Sequence, residues 1–117
     1  VVCATNAVEP VVEGAWLKPG AHVNSVGSPR PNWRELDNAV MANTVIVDSR
    51  EAAAVEAGDV ILSGAKVYAE AGEVLAGNAS IAPESTTVFK SLGMAVEDIA
   101  AAQLVYENYQ MTQEHKA

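Results

Sequence analysis

Short apolar runs rich in β-branched residues alternate along this chain with stretches of helical period. Residues 1–5, "VVCAT", are too few for a helix and predict a buried strand. After Glu9-Pro10, "VVEGAWLKPG" predicts one helical turn stopped by Pro19-Gly20, and residues 21–26 predict a second strand. Trp33, Leu36 and Val40 fall at i, i+3 and i+7, the stripe of an amphipathic helix whose outer face would carry Arg34, Glu35, Asp37 and Asn38. Residues 44–47 predict a third strand. Asp48, with Glu51 at capping-box spacing, then predicts a helix over "SREAAAVEA" that Gly58 closes.

Further along, "VILSGAKVYAEAGEVLAGN" predicts a brief extended piece and a short helix interrupted at Gly72. Residues 86–89 predict another strand, and "SLGMAVEDIAAAQLVYENYQ" the longest helix, with Ile99, Ala102, Tyr106 and Tyr109 on one stripe. The tail "MTQEHKA" is polar and expected to fray. Strand, helix, strand, helix is the βαβ rhythm of a parallel sheet, so the fold class is α/β.

Composition narrows this picture. At 117 residues the chain holds at most one domain, and half the residues are hydrophobic with only 5% aromatic, which suits small-residue packing of helices on a sheet. A net charge of -8 with scattered basic residues argues against nucleic acid and against an anionic membrane as partners. Cys3 is the single cysteine, so no intrachain disulfide forms, and a small buried thiol in a reducing, cytoplasmic compartment is expected. No apolar run reaches membrane-span length. His22 and His115 are too isolated to hold zinc, and no G-x-S-x-G, P-loop or G-x-G-x-x-G is present. Because Val1 opens directly on a strand, the chain is expected to be the C-terminal part of a longer polypeptide whose glycine fingerprint lies upstream.

In open parallel sheets, ligands sit beyond the carboxyl ends of the strands. Those positions are Thr5-Asn6, Gly27-Ser28-Pro29-Arg30, Asp48-Ser49 and Lys90-Ser91-Leu92-Gly93. Gly27 would let backbone approach a ligand closely, while Pro29 and Pro31 would stiffen a loop holding Arg30 and Trp33. The same residues also serve an ordinary βα turn. Ser91 reads as a helix N-cap or as part of a helix start facing a cofactor. Glu56 reads as a solvated helix position or as a carboxylate kept for a ligand.

The strings "EPVVEGAWLKPGAHVNSVGSPRPNWRELD", "VDSREAA", "GEVLAG" and "TTVFKSLGMAVEDIAAAQLVYE", in this order, resemble the C-terminal part of the ornithine cyclodeaminase and mu-crystallin family, nearest its mu-crystallin branch. The resemblance implies the last strands of a Rossmann-type NAD(P)-binding domain in residues 1–93, a helix returning to a second, substrate and dimer-forming domain in 94–110, and a frayed tail in 111–117. It implies that Thr5, Asn6, Val26 and Ser91 line the cofactor, NADPH with NADH as the alternative, and that Ser91 starts the last helix. It places Ser28, Pro29, Arg30 and Glu56 at the substrate or hormone pocket.

The implied activity is reduction of cyclic ketimines by a homodimeric full-length protein. Thyroid-hormone binding, a lens structural role, or alanine dehydrogenase or ornithine cyclodeaminase chemistry are the family's other options. Ornithine cyclodeaminases carry "GGDCPGKTEL" where this chain has "GSPRPNWREL", which puts their catalytic aspartate at Pro29. Proline neither accepts nor gives a proton, so ornithine deamination by that route is not expected.

Overall fold

The computed structural model describes residues 1–114. Five parallel strands form one sheet: β1 (Val2–Cys3), β2 (His22–Ser25), β3 (Thr44–Val47), β4 (Val67–Glu70) and β5 (Thr87–Lys90), in the order β1-β2-β5-β3-β4. The α/β class with a parallel sheet is therefore observed. The last strand in sequence inserts between β2 and β3, so the sheet centre is built from both halves of the chain.

One face of the sheet is packed by α1 (Asn38–Met41), α2 (Arg50–Glu56) and α3 (Gly58–Ser63). Val23, Val45, Val47 and Val88 meet Leu36, Val40, Met41, Ala53, Ala57 and Val60 there in one continuous core. The opposite face carries His22, Ile46 and Phe89. With Val74 and Leu75 of α4 (Ala71–Leu75) they line an open hollow of about 210 Å³.

Several expectations change. Residues 1–5 give only a two-residue strand at the sheet edge, where Val2 is exposed and Cys3 alone is buried. The helix expected from Trp33 begins instead at Asn38, because the backbone of residues 35–37 is committed sideways. Val11 N and Val12 N donate to Glu35 O, Asp37 N donates to Val12 O, and Glu35 N and Leu36 N both donate to Asp59 Oδ1. Asp37 then caps the short helix by accepting from Val40 N at 2.8 Å.

Ser49, not Asp48, caps α2, accepting from Ala52 N at 3.2 Å. Gly58 opens a new helix rather than ending the chain's helical course. A Cβ there would lie 1.9 Å from Trp33 O and 2.6 Å from Arg30 O, so the close approach of α3 to that loop requires glycine. Gly72 lies inside α4 and does not interrupt it.

The last helix, α5 (Ala95–Glu114), runs through residues 111–114, which were expected to fray; 115–117 lie outside the described residues. Its stripe residues Ile99, Tyr106 and Tyr109 are 66%, 60% and 61% exposed. At 1.5 Å rise per residue α5 is about 30 Å long, and it stands off the sheet and its covering helices.

Candidate functional site at the carboxyl edge of the sheet

Strand register brings Cys3, Ser25, Lys90 and Val47 into one row across β1, β2, β5 and β3. All four are buried on the helix-covered face. Just beyond this row the chain turns into the loops where a ligand of such a sheet sits. Beneath those loops lies a network of three ionisable side chains that are 0% exposed, Glu35, Asp59 and Lys90.

Glu35 accepts from Thr5 N at 2.6 Å, Ser25 Oγ at 2.6 Å and Gly27 N at 3.0 Å. Burial alone pushes its carboxyl up, but these hydrogen bonds outweigh burial and hold it below the ordinary carboxylate value. Lys90 Nζ donates to Ser25 Oγ at 3.2 Å and to Gly27 O, and sits 3.0 Å from Asp59 Oδ2. That last contact is an ion pair without hydrogen-bond alignment, so Asp59 Oδ2 accepts no hydrogen bond. The ends of β1, β2 and β5, the loop through Glu35 and helix α3 are thereby tied together at one point.

Gly27 sits at the centre. A Cβ on it would meet Thr5 O at 2.2 Å, Thr5 N at 2.3 Å and Glu35 Oε1 at 2.4 Å, so only glycine lets β1 and β2 close over Glu35. Ser28 follows with φ +48, a left-handed conformation secured by Ser28 N to Thr5 O at 2.8 Å and Ser28 Oγ to Ala7 O at 2.6 Å. Ser28 is buried, and its hydroxyl is spent on the backbone rather than turned to a pocket.

A second anchor holds the β5 exit. Asp48 Oδ2 accepts from Ser91 Oγ at 3.0 Å and from Leu92 N and Gly93 N at 2.7 Å each. Asp48 was expected to cap a helix; it binds the neighbouring strand's loop instead. Ser91 is correspondingly not the start of the last helix. Gly93, at φ +82, turns the chain, and α5 begins only at Ala95.

Thr5, Asn6, Val26 and Ser91 thus lie on the adjoining ends of β1, β2 and β5, with Val26 exposed between its neighbours. Pro29 and Arg30 continue the same rim, where the Arg30 guanidinium lies 4.5 Å from the Trp33 ring centroid, a cation–π contact. Glu56 stands apart. It is exposed at the far end of α2, two residues before the Gly58 that abuts the carbonyls of Arg30 and Trp33.

The fit to a flat, amide-bearing ring is good at these strand ends. Val26 offers an exposed apolar surface, and Ser91 Oγ, which donates to Asp48 and accepts from Gly93 N at 3.2 Å, keeps one lone pair that can accept from a ligand N–H. A wider hollow of about 660 Å³ lies at the opposite, amino edge, between residues such as Asn43, Lys66 and Ser85. No comparable convergence of buried charge and close-approach glycine accompanies it among the described residues. None of them forms a three-ligand His, Cys, Asp or Glu cluster for a metal, and no helix is long and apolar enough to cross a membrane.

Glu35, Asp59 and the anchoring role of Asp48 escaped the sequence reading.

An all-parallel α/β sheet with helices against both faces defines a doubly wound unit. The chain belongs to the ornithine cyclodeaminase/mu-crystallin family, whose profile matches residues 1–113. It is 58% identical over 110 residues to ketimine reductase mu-crystallin of Macropus fuliginosus, covering 93% of this chain and 35% of that protein. It is 40% identical over 118 residues to the Delta(1)-pyrroline-2-carboxylate reductase of Bacillus cereus, covering 92% of this chain and 36% of the relative. The structure of Thermococcus litoralis Delta(1)-pyrroline-2-carboxylate reductase in complex with NADH and L-proline matches with a TM-score of 0.82 and 38% identity, over 96% of this chain and 38% of that one. The chain therefore spans about a third of the length of the relatives it matches.

Proposed function

We propose that this chain, within a polypeptide of its relatives' length, forms the nicotinamide and imine side of an NAD(P)H-dependent reductase of cyclic ketimines. The observation that carries the reading is the likeness to the Thermococcus reductase that holds NADH and L-proline, a reduced cofactor together with a saturated cyclic amino acid. The 58% identity to a ketimine reductase supports the same class of substrate.

The cofactor, when bound, supplies the hydride, and the C=N carbon receives it as the nitrogen takes or keeps a proton. The chain's own contribution is placement. Thr5, Asn6 and Val26 form the floor beyond β1 and β2, and Ser91, donating to Asp48 and accepting from Gly93 N, offers its remaining lone pair to a carboxamide N–H, which fixes one orientation of the ring. Arg30, stacked on Trp33 at 4.5 Å, is held where a ring carboxylate would meet a cation. NADPH is the expected donor. Ser28, with its hydroxyl bound to Ala7 O, acts through backbone shape, and Glu56 is the outlying member of the proposed pocket.

The test follows loss of reduced-nicotinamide absorbance when the longer polypeptide meets NADPH, or NADH, and a piperideine or pyrroline carboxylate, with ornithine plus NAD as control. Imine turnover without ornithine deamination supports the reading and matches a proline at position 29. Ornithine turnover without imine reduction would sink it.

A further inference from the structure

Beneath the strand ends lie charges that the proposed reaction has not yet used. Glu35 and Asp59 are two carboxylates against the single ammonium of Lys90, all three 0% exposed, so the cluster holds one surplus negative charge. The direct ion pair is Lys90 with Asp59, at 3.0 Å. Glu35 touches only neutral donors, namely Thr5 N, Gly27 N and Ser25 Oγ. The surplus charge therefore resides on Glu35, one peptide group below the exposed loops.

Buried ionic groups of this kind are often no more stabilising than apolar side chains of similar volume. Stability alone does not account for placing one at this edge of the sheet. Buried surroundings screen charge weakly, so a carboxylate here is felt at the surface above it more strongly than one in water.

We propose that Glu35 is a positioning residue for the nicotinamide ring: it clamps the ends of β1 and β2 through the Thr5 and Gly27 amides, and its uncompensated charge favours the oxidised, positively charged ring over the neutral reduced one. The inference rests on the nicotinamide reading above. It assigns the cluster a preference between two redox states of one ligand, which a purely structural clamp would not have.

The experiment uses the polypeptide of full relative length, with Glu35→Gln as the nearly isosteric neutral variant. Dissociation constants for NAD+ and NADH, or for the phosphorylated pair, are measured for both proteins by calorimetry or fluorescence. The expected result is a shift of the ratio toward the reduced form by about tenfold, from loss of one unit charge at close range. Equal weakening of both forms, or no change in the ratio, overturns the proposal and leaves Glu35 a structural residue.

If Glu35→Gln does not fold, Asp59→Asn replaces it, removing the same unit of charge while leaving Glu35's contacts to Thr5 and Gly27 in place. The ratio is expected to move in the same direction, and an unchanged ratio again overturns the proposal. Wild-type protein that binds both nucleotides but reduces no cyclic imine refutes the substrate assignment alone, and the ratio still decides this inference. Wild-type protein that binds neither nucleotide overturns both.

Discussion

The sheet's carboxyl edge and helix α5 invert the usual distribution in opposite ways. At the edge, charged side chains lie inside: Glu35, Asp59 and Lys90 have no exposed surface. On α5, apolar side chains lie outside: Ile99, Val105 and Tyr109 are 66%, 69% and 61% exposed. The buried charges find their partners within this chain, from β1, β2, β5 and α3. The apolar face of α5 does not. Where a chain buries charge it has completed a site, and where it exposes apolar surface it has left packing to something else.

The most severe way to break the first region is to remove its one cation. Lys90→Met leaves Glu35 and Asp59 together in the interior with no counter-charge. Breaking a buried pair from one side costs about 3–5 kcal/mol, and urea unfolding of the chain is expected to show a loss of that size. A loss under 1 kcal/mol would mean that the cluster is open to water and that the inversion described above is not real.

Asp48→Ala comes next. It strands Leu92 N, frees Ser91 Oγ and leaves Gly93 N only its longer bond to Ser91 Oγ at 3.2 Å, in place of the three donations to Asp48 at 2.7, 3.0 and 2.7 Å. Unsatisfied donors of this sort cost about 1–3 kcal/mol, less where water replaces the partner. Amide exchange at residues 92 and 93 is expected to accelerate while exchange in β2 and β3 is unaffected, because the anchor serves the β5 exit only.

A gentler perturbation is acid. Glu35's carboxyl, although raised by burial, is held below its ordinary value of 4.5 by donation from Ser25, Thr5 and Gly27. A depressed folded-state value means that its contribution is fully present above the unfolded value and is lost as pH falls through the folded one. The chain is therefore expected to lose stability below about pH 4.5, and Glu35→Gln is expected to flatten that part of the profile while lowering stability at neutral pH. An acid limb of unchanged slope in the variant would place the titrating group elsewhere.

These two regions were also unequally legible in the sequence. Residues 44–47 were read as a strand and are one, because four consecutive apolar or β-branched residues between turn signals admit little else. The α5 stripe was legible as a helix, but periodicity reports that a face is apolar and not what covers it. Glu35 was misread for a related reason. Trp33, Leu36 and Val40 keep helical spacing, which put Glu35 on an outward face, yet Asp59, 23 residues beyond Leu36, accepts the amides a helix would have used. No local pattern carries a contact made across that distance in sequence. Gly27 was legible as a point of close approach, although what approaches it most closely is Thr5 and the Glu35 carboxylate.

The smallest expected effect is the sharpest test of α5. Its apolar residues line a shallow strip from Ala101 to Tyr109 and bury nothing against the sheet. Replacing Ile99, Tyr106 and Tyr109 together with glutamine removes three apolar side chains, a change that inside a core would cost several kcal/mol. Here the unfolding free energy of the sheet and its covering helices is expected to change by less than about 0.5 kcal/mol, the range of surface substitutions. In the polypeptide of full relative length the same triple change is expected to destabilise by more than it does in this chain, since the proposed second domain would cover that face. Equal and small effects in both would mean that α5 stays solvent-exposed, and that an apolar stripe on a helix can persist without a partner; a large effect in the short chain would mean that α5 already packs on its own sheet.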